Sequence, residues 1–368
     1  MKKPFNLIAY YILVILIFNS CGKDPVDSDS SAPARPTINA QLIPIATLPQ
    51  PGGGIAGSVG SKILFSGASP GYSGVTSGSS RVDIYDINAN SWSIAELSVA
   101  RGDFSVVTSG DKIFFAGGWV GDWWWLPLMF TNVDIYDAAT DSWSVKHLSE
   151  PRTSIGAAAV GNKVFFAGGI DNSRQVSSKV DIYDTQTNSW STSALSEPRT
   201  NISTQIAANK IFFAGGSWGV PRATVDVYDI STGLWSVSSM NEPKSHMASF
   251  ATGSKIFWAG GESINNQGQH TSALVEIKDV ITQSTTFSSL SEPKLWQGNH
   301  KGVVKNNQVI FFLGNRGAKN KFDIYDTVNN SWSIGVLDQD IAGASIISVN
   351  NTIYVVGAPS NIVWKLEF

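Results

Sequence analysis

Short apolar runs ending in glycine recur along the chain. Ile113-Phe114-Phe115-Ala116-Gly117-Gly118 is the clearest, Val164 to Gly169, Ile211 to Gly216 and Ile256 to Gly261 follow it closely, and Ile63 to Gly67, Ile310 to Gly314 and Ile353 to Gly357 are weaker copies. Runs this short, bounded by turn residues, predict buried strands rather than helices. A turn pair precedes each one: Gly60-Ser61, Gly110-Asp111, Gly161-Asn162, Ala208-Asn209, Gly253-Ser254, Asn306-Asn307 and Asn350-Asn351. Such pairs close tight hairpins, so another strand is expected just upstream of every run.

A second signature follows all but the last run: Asp-Ile-Tyr-Asp, a short turn, then Ser-Trp-Ser. It spans Asp83 to Ser93, Asp134 to Ser144, Asp181 to Ser191 and Asp323 to Ser333, with a close variant at Asp226 to Ser236 and a degenerate one at Glu276 to Ser288. Two further strands joined by a turn fit this pattern, giving four strands per repeat. The order of glycine doublet, tyrosine and tryptophan resembles the kelch repeat, and the resemblance covers nearly everything after Ile38. It implies an all-β fold, a β-propeller of four-stranded antiparallel blades like the central domain of galactose oxidase. Seven glycine strands stand against six complete tyrosine-to-tryptophan halves, so one blade must be assembled from both ends of the chain. Leu42 to Leu48 is expected to supply its fourth strand and Ala342 to Phe368 the first three, closing a seven-bladed ring without an open edge.

Composition agrees with an all-β class: 368 residues hold 34 glycines, 13 tryptophans and only 15% charged residues, and no long stretch reads as an amphipathic helix. A net charge of −3 with no basic run argues against nucleic acid as a partner. The single cysteine, Cys21, excludes internal disulfides and cysteine zinc sites, and His147, His246, His270 and His300 are too dispersed for a local metal motif. No cofactor or metal is expected, and a monomer is.

Residues 1–20 read as a signal peptide: Lys2 and Lys3, an apolar run from Leu7 to Phe18 too short to span a bilayer, and Ser20 before Cys21. The arrangement resembles a bacterial lipoprotein signal, which implies lipidation of Cys21 and a place in the cell envelope, with ordinary secretion as the alternative. Gly22 after the cysteine fits onward sorting to the outer membrane. Residues 21–37 are Ser, Asp and Pro with little to bury, a linker, and the folded domain is expected over residues 38–368.

The repeated residues have structural roles in this reading. The aspartate of Tyr-Asp bonds the turn after it, and Trp92, Trp143, Trp190, Trp235 and Trp332 pack between blades. Function is sought where repetition breaks, on the face that carries the loops between strands two and three and the blade-to-blade connections. Those connections place a cation at one position, Arg101, Arg152, Arg199, Lys244 and Lys294. The resemblance implies contact with an acidic ligand there; the plainer and preferred reading pairs each cation with a nearby glutamate. Two residues on stand Asp103, Ser154, Asn201, His246 and Trp296, with Gly343 and Gly54 in the other blades, expected at the channel mouth. The sharpest break is the loop Trp119-Val120-Gly121-Asp122-Trp123-Trp124-Trp125-Leu126-Pro127-Leu128-Met129-Phe130, either an exposed aromatic patch or a private core folded over a neighbour. The long loops Ala68 to Arg81 and Glu262 to Leu274 are placed to wall the same crater.

Two functions remain. The first is a non-catalytic module displayed from a lipid anchor, binding a glycan or a protein through Trp119, Trp123, Trp124, Trp125, the five cations, His246 and Trp296. The second is a small sugar-active enzyme of the mutarotase or epimerase kind, with Arg152, Arg199, His246 and Glu262 as polar candidates. The copper chemistry of galactose oxidase is excluded in its familiar form, because the only cysteine lies in the signal region.

Overall fold

The computed structural model describes residues 34–50, 54–66, 75–76, 78–123, 127–295, 302–312, 320–358 and 361–368; the expected signal peptide and Cys21 lie outside them. The compact unit is Pro36–Phe368, and no helix occurs among its described residues. Hydrogen-bonded hairpins build four-stranded antiparallel units from the predicted repeats. Blade one is Gly54–Val59, Lys62–Ser66, Ser79–Asp86 and Ser91–Arg101; blade two is Ser105–Ser109, Lys112–Ala116, Asn132–Asp137 and Ser142–His147. Blade three is Gly156–Val160, Lys163–Ala167, Lys179–Asp184 and Ser189–Ala194; blade four is Ser203–Ala207, Lys210–Ala214, Val220–Asp229 and Trp235–Lys244. Blade five is Ala248–Thr252, Lys255–Ala259, Leu274–Asp279 and Thr285–Ser289; blade six is Gly302–Lys305, Gln308–Phe311, Lys321–Asp326 and Ser331–Leu337. Blade seven joins Ala342–Val349, Thr352–Ala358 and Ile362–Glu367 to the N-terminal strand Thr37–Thr47.

The first strands touch in cyclic order, and that of blade seven meets that of blade one, so the described blades form a closed ring. The core lies between blades rather than within them. One cluster joins Phe65 and Tyr85 of blade one to Tyr354 and Val363 of blade seven, and another joins Phe166 and Ile155 of blade three to Phe114 and Val133 of blade two. The repeated tryptophans pack against these seams, each beside the tyrosine of its own blade at centroid separations such as 4.9 Å for Tyr183 and Trp190. The second aspartate of each motif accepts amide hydrogen bonds from the turn after it, as Asp326 does from Val328 and Asn329, both at 2.9 Å.

The N-terminal strand does more than the repeat count anticipates. Gln41 to Thr47 pairs antiparallel with Ile362–Glu367, which is the expected closure, and the Leu48 amide donates to the Asn361 carbonyl. Thr37 to Ala40, however, pairs in parallel with Ile334 to Leu337 of blade six. One strand therefore staples two blades, and its Ala40 side chain is buried in the seam between them.

The glycine doublet is fixed by close backbone approach. Both glycines of each well-formed doublet adopt positive φ, for example +65° at Gly168 and +102° at Gly169. A Cβ at Gly168 would overlap the Arg199 carbonyl oxygen, and one at Gly169 the Thr153 carbonyl oxygen. Gly161, a turn glycine with φ +53°, has nothing within 4 Å of that position. Gly161→Ala should therefore cost only the left-handed backbone penalty, about 1–2 kcal/mol. Gly168→Ala adds a steric clash and should cost about 3 kcal/mol or more, as the midpoint of urea unfolding would report.

Candidate functional site: the loop face around the channel mouth

In blades two to five, backbone bridges put the connection before the blade beside the loop that follows its glycine doublet. Gly102 pairs with Trp119, Thr200 with Ser217 and Ser245 with Glu262, while Arg152–Thr153 pairs with Ile170–Asp171. The two loop sets therefore share one face.

The five cations are not displayed on that face. Arg101, Arg152, Arg199, Lys244 and Lys294 all have 0% exposure. Arg101 donates to Asp134 at 2.6 Å and to the carbonyls of Gly117 at 2.7 Å and Phe115 at 3.0 Å. Arg152 and Arg199 repeat this with Asp181 and Asp226, and Lys294 lies 2.9 Å from Asp323. Each partner is the first aspartate of the following Asp-Ile-Tyr-Asp motif, whose other oxygen takes an amide from the preceding blade's side, as from Ser98 to Asp134 at 2.7 Å. The ligand-binding assignment of these residues is thus corrected. They anchor one blade to the next and brace the glycine doublet, and a ligand could reach them only by breaking buried ion pairs. The preferred pairing reading holds in kind, but the motif glutamates are the secondary partners: Glu150 lies 3.5 Å from Arg152, and Glu197 4.0 Å from Arg199. Burial pushes all three guanidinium pKa values down, and the facing aspartates oppose it.

Blade five breaks the pattern because lysine and glutamate replace arginine and aspartate. Lys244 binds Glu242 at 2.6 Å and Ser272 at 3.1 Å, and Glu276 holds the Asn241 amide at 2.8 Å. A lysine is a point charge without the guanidinium fork, and here it serves the nearer carboxylate, whereas Lys294 of blade six keeps its aspartate. Burial raises the pKa of Glu276, whereas for Glu242 burial, the largest single effect, is outweighed by Lys244, Ser263 and Ser272 together, and its pKa is lowered.

At the mouth, Asp103, Ser154, Asn201 and His246 occupy the same left-handed conformation, with φ between 50° and 54°. Thr153 donates to the Asp103 carboxylate at 2.8 Å and Ser154 at 3.0 Å, and the Trp119 side chain is a third donor. The carboxyl is open to water through the mouth yet surrounded by protein, and this desolvation raises its pKa against the three donors. His246 Nδ1 lies 3.4 Å from Glu262 Oε2, with Ser245 within 3.3 Å of the same oxygen. Trp296 lies outside the described residues.

The tryptophan loop is partly ordered as β structure. Trp119–Asp122 pairs with Leu128–Met129 on one side and with Val75–Thr76, from the long loop of blade one, on the other. Trp119 is buried at 5% exposure and meets the half-buried Trp123 edge to face at 5.2 Å, while Leu128 is 51% exposed. Trp119 thus belongs to the support of the loop. Trp124 and Trp125 lie outside the described residues. The loop of blade five forms the hairpin Glu262–Asn265 and Gly268–Thr271. Trp218, in the corresponding loop of blade four, is 54% exposed and was not singled out by the repeat pattern. Its signal was available: tryptophan two residues after a glycine doublet occurs in no other blade.

Residues 151–194 match the family model described as Kelch motif. No curated protein matches the chain. Among solved structures, the one titled "Structure of YjhT" superposes with a TM-score of 0.55 at 14% identity, covering 79% of this chain and 99% of that one. The fold is thus an all-β propeller of four-stranded blades, with a kelch motif matched over residues 151–194.

Proposed function

We propose that the protein is a non-catalytic binding module whose working surface is the loop face, and that its ligand is a glycan in preference to a protein. One observation carries this reading: the loop of blade two stands out from the repeat as a three-stranded extension shared with blade one, with Leu128 exposed at its edge. An ordered apolar projection that no blade needs for closure is a contact surface. Flat indole rings suit the apolar faces of sugars, and the sequence places Trp123, Trp124 and Trp125 there. In this reading Cys21 carries a lipid, and residues 22 to about 36 link the propeller to the bacterial envelope, most simply the outer membrane.

The test is retention of the full chain on a polysaccharide panel and on envelope extracts, beside a variant with Trp123, Trp124 and Trp125 changed to alanine. Binding weakened at least tenfold in the variant, with unchanged thermal unfolding, is the expected result. Undiminished binding overturns the assignment of the loop. The His246–Glu262 contact favours one second reading, an acid–base pair at the mouth of a sugar-active enzyme. Sugar turnover that His246→Gln abolishes and the triple tryptophan variant retains would favour it over the first.

A further inference from the structure

Blade four presents an aromatic residue on a small, stiff hairpin. Ser217 pairs with Pro221 and Trp218 with Val220, leaving Gly219 at the tip with φ +77°. Nothing lies within 4 Å of the Gly219 Cβ position, so the tip stands in solvent, whereas Pro221 beneath it is buried. The Arg222 guanidinium carbon lies 5.9 Å from the Trp218 ring centre, in cation–π range. Arg222 Nε is itself 3.8 Å from a Glu197 carboxylate oxygen, an ion pair beyond hydrogen-bond distance. The indole is thereby held on one side and still more than half exposed, an orientation that a ligand need not pay entropy to create.

Charge narrows what that ring can meet. Burial of Arg101, Arg152, Arg199, Lys244 and Lys294 removes the basic ring from the surface. Cations that do reach solvent near it stand beside carboxylates, Lys179 at 3.0 Å from Glu150 and Arg222 near Glu197. Asp103 and Glu262 face the mouth. Among the described residues a polyanion finds no unmatched positive field here, so the complementary ligand is uncharged.

We propose that Trp218 is a stacking platform for a sugar ring and that the ligand of this face is a neutral polysaccharide. The inference rests on the glycan reading of the loop face. The C–H face of a pyranose is apolar and faintly positive, and it meets the negative face of an indole while the ring hydroxyls stay hydrated.

Affinity electrophoresis of the full chain in gels containing dextran, galactomannan, xyloglucan or mixed-linkage β-glucan, with alginate and polygalacturonate as acidic controls, tests this directly. At least one neutral polymer should retard the wild type, and neither acidic polymer should. Trp218→Ala should weaken that retardation at least tenfold, and Trp218→Tyr, which keeps a ring, by no more than about threefold. Neither should shift the thermal midpoint, since the side chain is exposed. Retardation by a neutral polymer that Trp218→Ala leaves intact overturns the platform while sparing the glycan reading. Retardation by the acidic polymers alone overturns the charge argument, and no retardation by any polymer overturns both the inference and the glycan reading.

Discussion

Arg152→Ala is expected to destabilise the propeller by about 3–5 kcal/mol, the cost of stripping one partner from a buried ion pair. The Asp181 carboxylate, 1% exposed, would remain in the seam between blades two and three with the Ser149 amide donating to it at 3.1 Å and its charge unpaired. The carbonyls of Gly168 and Lys179 lose their guanidinium donor in the same step. Arg152→Met combined with Asp181→Leu removes both charges and should recover most of the loss, because well-packed apolar replacements of buried pairs are commonly neutral. Urea unfolding of the single and double variants reads the coupling, and equal destabilisation in both would mean that the pair contributes nothing beyond volume.

Arg152→Lys should rescue the site only in part: the natural lysine of blade six does lie 2.9 Å from its aspartate, Asp323, but that of blade five does not keep the pairing. There the natural lysine serves Glu242, and the buried carboxyl of Glu276 depends on the Asn241 amide with its pKa raised. A lysine at 152 would have Glu150 as the same nearby alternative. The pattern Glu-Pro-Arg therefore encodes a structural joint, and the variation to lysine is a weaker form of it rather than a tuned ligand site.

This distinction was not legible in the sequence. The glycine runs, turn pairs and Tyr-Asp motif give strand order and hairpin closure because each signal is local, within a dozen residues. The partner of Arg152 is Asp181, on a different strand and separated by 29 residues, while Glu150 sits two residues away. Proximity in sequence pointed to the glutamate, and the fold chose the aspartate because it lies in the dry seam. Trp119 is a similar case: it belongs to the tryptophan-rich loop by sequence, but pairing with Gly102 turns it inward onto Asp103. Trp218 went the other way, a lone tryptophan with no neighbours to draw notice, placed in solvent by the glycine at its hairpin tip. Local pattern fixes which strand a residue belongs to, and burial on the loop face depends on contacts between blades.

Removing residues 37–47 should have the largest effect, because that strand closes two blades at once. Its loss uncovers the outer edge of Ile362–Glu367 and frees the outer edge of Ser331–Leu337 from its parallel partner. Leu42 packs on the seam of blades six and seven. Leu42 is only partly buried, so its side chain contributes less than the ~1.5–3 kcal/mol of full burial, and the pairing of the whole strand is lost with it. Two unpaired edges also invite association between molecules. The shortened chain should therefore unfold at lower urea and elute as aggregates rather than at the position of the intact protein. A synthetic peptide spanning residues 36–48, added in excess, should restore that elution position and most of the stability by occupying both edges. A peptide ending at residue 40 would fill only the parallel site on blade six, and one beginning at residue 41 only the antiparallel site on blade seven. If the second alone restores the full midpoint, the parallel segment contributes no stability, and the staple reduces to the simple closure of blade seven.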